Sequence, residues 1–178
     1  MTRKILVFVI LIGFAFSCSN STKSEKDILL DSISNLEKDC FDNINNTYNH
    51  KVALKTLVMY QKFINKYPSD SLTAHYLYTS AQLSKSINLY GEAIRKYELY
   101  IKQYPKTKEA AKSNFMVGMI YENDLKDTVN AKKAYQNFIK NYPNNDLVDD
   151  AEFLIQNLSL TNEELIQMLE AKSKLSEK

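Results

Sequence analysis

The 178-residue chain holds two histidines, His50 and His75, and two cysteines, Cys18 and Cys40. Any catalytic or metal chemistry would have to be built largely from these. A nucleophilic thiol needs a base within reach, and a zinc site needs His, Cys, Asp or Glu at ligand spacing. Neither histidine has such neighbours along the sequence. Asp149-Asp150 and Glu163-Glu164 are paired acids. Adjacent residues on a helix point about 100° apart, so each pair is read as solvated charge near a helix start rather than as an acid–base couple. The three glycines do not form a phosphate-cradling loop, and no nucleophile elbow occurs. The expectation is a protein that is not an enzyme, with no cofactor and no metal. Cys40 falls in one apolar register with Leu29, Ile33 and Leu36, which makes it a small core residue.

Cys18 suggests a different chemistry. Arg3 and Lys4 precede an unbroken run of twelve residues from Ile5 to Phe16 without a polar side chain. As a helix this run spans only ~18 Å, short of the ~30 Å hydrocarbon core, so a secretory signal fits better than a membrane span. Ala15-Phe16-Ser17-Cys18 resembles a bacterial lipobox, in which the cysteine becomes lipidated, palmitate included, and begins the mature chain. Residues 1–17 are therefore expected to be a lipoprotein signal peptide, and 18–26 the lipidated cysteine and a flexible tether of roughly 15 Å reach. The chain has 23 basic and 21 acidic residues, and loss of Arg3 and Lys4 leaves equal numbers. A neutral mature protein without a basic stripe gives no reason to expect a nucleic-acid partner. Ser19, not Asp, follows Cys18, and no dense acidic run comes after it. By the bacterial sorting pattern this points to the outer membrane, lipid-anchored and facing the periplasm.

The elements that must position any site come from a repeated stretch. Tyr60 to Pro68, Tyr97 to Pro105 and Tyr135 to Pro143 each read Tyr-x-x-aromatic-Ile-x-x-Tyr-Pro, with the prolines 37 and 38 residues apart. A period of this size signals stacked helical pairs. With 44% apolar and 25% charged residues and only three Gly and three Pro, long helices with short connections are expected. Proline lacks an N–H and clashes with the preceding turn, so each Tyr-Pro ends a helix. The Tyr eight residues before each Pro and the aromatic five before it lie one turn apart on one packing face.

The apolar periodicity predicts about eight helices, beginning near Asp27, Val52, Ser71, Gly91, Thr107, Asn130, Asp146 and Thr161. The last is opened by the capping box Thr161-Asn162-Glu163-Glu164 and carries Leu165, Met168 and Leu169. No strand of useful length is expected. The helical domain is read as residues 27–172, followed by a charged tail over 173–178.

These motifs resemble the tetratricopeptide repeat family, which pairs Gly-x-x-Tyr on a first helix with Ala-x-x-x-aromatic on a second and closes the unit with Pro. Gly118, Tyr121, Ala131, Tyr135 and Pro143 match that pattern, as do Ala93, Tyr97 and Pro105. Ala81 and Ser84 stand in the Gly and Tyr places of the middle unit, Thr56 in an Ala place, and Leu77 and Asn114 where Trp is usual. The Gly-to-Ala gap is one residue longer in the Gly118 unit, which predicts a longer turn around Asp124 to Val129. Extended repeats ending in Tyr-Pro are similar to those of periplasmic lipoproteins of the BamD and YbgF (CpoB) type.

The resemblance, which covers about Lys51 to Leu158, implies an all-α, TPR-like α-solenoid of antiparallel helices whose first helices line a concave groove. It places His75, Tyr78, Gln82 and Lys85 there from one unit, Lys112, Phe115, Met119 and Glu122 from the next, and Phe153 and Asn157 from the helix after Pro143. Such a mix of aromatic and long polar side chains suits a peptide or protein ligand. Tyr78, Phe115 and Phe153 could equally pack only between neighbouring helices. The implied function is a scaffold for other envelope proteins or peptides, in outer-membrane protein assembly or envelope coordination. The alternative is a structural or regulatory lipoprotein that binds peptidoglycan or a small ligand.

Overall fold

The computed structural model describes residues 23–42 and 47–160, together with 163, 164, 166–168, 170 and 174. The signal segment, Cys18 and most of the tether lie outside the described residues. So do Thr161, Asn162, Leu165 and Leu169 of the expected last helix, whose described residues are helical.

The described chain is an all-α, TPR-like solenoid. Its helices are α1 Glu25–Cys40, α2 His50–Lys66, α3 Ser71–Ser86, α4 Tyr90–Gln103, α5 Lys108–Met119, α6 Thr128–Asn141 and α7 Val148–Asn157. Each packs on its neighbours in sequence. Local chemistry sets several starts. Ser24 and Asp27 form a capping box on α1, and Asn49, Asp70, Thr107 and Asp127 accept N–H bonds at the starts of α2, α3, α5 and α6. The Tyr-Pro turns end α2, α4 and α6 in one repeated geometry. Tyr67, Tyr104 and Tyr142 share φ of −127°, −129° and −134°, and each N–H donates to the carbonyl of Phe63, Tyr100 or Phe138. Each closing ring also packs back on that same aromatic, with centroids 5.1, 5.1 and 5.9 Å apart.

The expected packing stripe is the core. Tyr60, Tyr97 and Tyr135 are 2%, 1% and 0% exposed, and Phe63, Tyr100 and Phe138 are buried with them. Cys40 is buried in the cluster formed by Leu29, Ile33, Tyr60 and Phe63. That cluster makes α1 the partner of α2, so the helical pairing begins upstream of the Lys51 boundary read from the motif.

Two features depart from expectation. Phe41–Asp42 pairs antiparallel with Thr47–Tyr48, Phe41 opposite Tyr48, so a small two-stranded ribbon joins α1 to α2. The extra residue of the Gly118 unit does not lengthen the turn. The α3–α4 and α5–α6 connections have three residues each, 87–89 and 125–127, with Asn88 and Lys126 at matching left-handed φ of 63° and 56°. The insertion is instead absorbed by a π-helical turn, Ile120–Asp124, that continues α5. Such one-turn bulges are how a helix accommodates one additional residue without breaking.

Candidate functional site

The solenoid offers clefts between successive helices, and the first-helix positions fall on the sides of α3, α5 and α7. Tyr78 packs its ring 6.0 Å from Tyr97 and 5.5 Å from Tyr100. Phe115, in the equivalent place one unit on, packs 5.5 Å from both Tyr135 and Phe138. Both rings are half-buried, one side on the core of the second helix and the other open. Phe153 is also half-buried, and its carbonyl accepts a 2.6 Å bond from the Asn157 amide within α7.

Several polar residues expected on this face are committed to the fold. Lys85 is 3.6 Å from Asp124, tying the end of α3 to the π-turn of the next unit. Glu122 accepts the Tyr135 hydroxyl at 2.6 Å. Met119, partly buried with Phe115 and Tyr121, packs against the core formed by Ala131, Tyr135 and Phe138. His75, Gln82 and Lys112 remain exposed. The Lys85–Asp124 pair reaches from α3 to the π-turn that continues α5, and Ala81 of α3 shares a core cluster with Val117 and Ile120. Phe153 and Asn157 are carried by α7, which packs on α6.

The Tyr135–Glu122 contact has a counterpart that sequence reasoning missed. Tyr60 donates a 2.7 Å hydrogen bond to Glu37, near the end of α1. Glu37, Cys40, Phe41, Tyr48 and Gln82 line a cleft of ≈ 360 Å³ between α1, the ribbon and α3. Its signal in the sequence was weak, because Glu37 precedes Tyr60 by 23 residues whereas Glu122 precedes Tyr135 by 13. Burial raises the hydroxyl pKa of both tyrosines far above the ordinary value, and the carboxylate acceptors push in the same direction.

Cys40 is not placed for nucleophilic work: burial pushes its thiol up, whereas a reactive cysteine needs its pKa lowered. His50 is exposed at the first residue of α2. Asp149 and Asp150 sit exposed in the first turn of α7, and Glu163 and Glu164 are exposed as well. Among the described residues no three His, Cys, Asp or Glu side chains converge as a metal site, and no helix is long and apolar enough to cross a membrane.

Residues 113–145 match the tetratricopeptide repeat family model. The match runs from α5 through the π-turn and α6 to the Pro143 turn, one helical pair of the solenoid. No curated protein matches the chain.

Proposed function

We propose that this chain is a non-enzymatic scaffold that binds other proteins through the first-helix face, lipid-anchored at Cys18 to the bacterial outer membrane and facing the periplasm. The carrying observation is the repeat itself. Successive units present a half-buried aromatic, Tyr78 or Phe115, beside exposed polar side chains, among them His75 and Lys112. Aromatic anchors held by packing lose little freedom on binding, and the flanking charges tune orientation. Stacked helical repeats supply the extended surface that such recognition uses. The apolar run ahead of Cys18 supports the anchor, and the similarity to envelope lipoproteins supports roles in outer-membrane protein assembly or envelope coordination.

Two measurements test the reading. Cys18→Ser should move the protein from the membrane to the soluble periplasmic fraction, since stable anchoring rests on two or more acyl chains. Equal membrane retention of variant and parent would refute the anchor. A photo-crosslinking residue at His75 or Lys112 should then trap discrete protein adducts in intact cells. Adducts of glycan fragments, or none at either position, would refute the protein-binding role.

A further inference from the structure

A second cleft, of ≈ 360 Å³, opens between the two second helices α4 and α6, with α5 as its floor. It lies on the far side of α5 from the first-helix face, because Asn114 follows Lys112 by two residues and so sits ~200° around the helix. Its floor holds Asn114, 7% exposed. The side-chain amide of Asn114 makes no hydrogen bond among the described residues and, unlike the enclosed Ser113 hydroxyl, keeps access to the cleft. In the matching position of the middle unit the residue is Leu77, buried and apolar.

The walls carry polar groups in order. Lys133, Asn137 and Asn141 step by four along α6, and Glu98 and Lys102 do the same along α4. Steps of four place side chains ~6 Å apart on one helix face. An extended peptide repeats its backbone N–H and C=O groups every two residues, about 6.6 Å. A row of amides at nearly the same interval can meet successive peptide groups, each amide offering both a donor and an acceptor. From Lys133 to Asn141 the row is ~12 Å long, the length of about four extended residues. Among the described residues neither Asn137 nor Asn141 makes a side-chain hydrogen bond, and neither Lys102 nor Lys133 is in an ion pair. Two lysines against Glu98 leave the cleft with an excess of positive charge.

We infer that this amide-lined cleft binds a short extended peptide segment carrying acidic side chains, at a site separate from the first-helix face. Asn114 anchors a peptide group at the floor, the α6 amides follow the backbone, and Lys102 and Lys133 select for carboxylates.

The test uses the full chain in detergent micelles and two fluorescein-labelled heptapeptides, Ala-Asp-Ala-Glu-Ala-Asp-Ala and its Asn/Gln counterpart, followed by fluorescence anisotropy. The acidic peptide should bind at least threefold more tightly than the neutral one. Asn114→Leu should weaken acidic-peptide binding at least tenfold while its melting temperature stays level or rises, a combination that unfolding cannot produce. Lys112→Glu, on the other face, should leave this binding unchanged. The inference is overturned by Asn114→Leu binding like the parent, by no binding to the parent, or by glutarate displacing the peptide at equal concentration, which would mark a simple anion site. Loss of peptide binding in Lys112→Glu would also overturn it, placing the peptide on the first-helix face and leaving the scaffold reading intact.

Discussion

Gly118 lies directly against the Tyr135 ring. A Cβ added at Gly118 would lie 2.4 Å from the Tyr135 ring, which is fully buried and fixed by its bond to Glu122. Ala81 holds the equivalent place one unit earlier, so the requirement for glycine belongs to this unit and not to the fold in general. Gly118→Ala should cost about 1–3 kcal/mol in urea unfolding, as overpacking does, despite alanine's better helix propensity. An unchanged midpoint would show that Tyr135 moves freely. The buried hydroxyls make a second prediction. Tyr60, Tyr97 and Tyr135 all have pKa values raised by burial, so the folded state favours their neutral form. Their contribution is therefore complete below the unfolded value near pH 10 and is lost as pH rises beyond it. Stability should fall from pH 10 to 11, and Tyr135→Phe should lessen that fall. An identical alkaline slope in the two proteins would remove Tyr135 from the explanation.

At the scale of the element, what could be read in the sequence followed from local sterics and hydrogen bonds. The Tyr-Pro helix ends were legible because proline geometry acts within a few residues. The stripe of Tyr60, Phe63, Tyr97, Tyr100, Tyr135 and Phe138 was legible from its spacing. The π-turn was not: the count of residues between Gly118 and Ala131 revealed an insertion, yet spacing alone does not say whether a loop or a helix absorbs it. The pairing of α1 with α2 lies outside the motif match because it rests on Leu29, Ile33 and Cys40, which carry no repeat motif although their apolar register marked them as core. On the first-helix face, the family resemblance located Lys85 and Glu122 but could not show that Asp124 and Tyr135 engage them. The π-turn can be tested by deleting Asn123, an exposed residue whose side-chain amide donates to the Met119 carbonyl. The variant should restore the α3–α4 spacing, keep its far-UV helicity and unfold in one cooperative step. A broad or two-step transition would mean that the bulge is required for α6 to dock.

At the scale of the whole molecule, the repeat turns one helical pair into a continuous surface. Each unit buries its Tyr and aromatic stripe against the next helix and leaves the outer edge of Tyr78 or Phe115 open. Truncating Tyr97 or Tyr135 to Ala should each cost about 3 kcal/mol or more, as for other buried aromatics, because the loss propagates to both neighbouring helices. Unchanged denaturation midpoints for both would contradict a buried stripe. The same linkage complicates any mutation of Tyr78 or Phe115, whose rings belong to the core and to the open face together. Lys112 avoids the difficulty: it is exposed on α5, and no ion pair or side-chain hydrogen bond holds it among the described residues. The central claim is that this face binds proteins, and Lys112→Glu tests it most directly. The measurement is recovery of crosslinked protein adducts from intact cells with the probe at His75, alongside far-UV circular dichroism and melting temperature. The account predicts at least a fivefold drop in adducts with helicity and melting temperature unchanged. Adduct recovery equal to the parent, with Tyr78→Ala and Phe115→Ala losing adducts only as they lose fold, would contradict it.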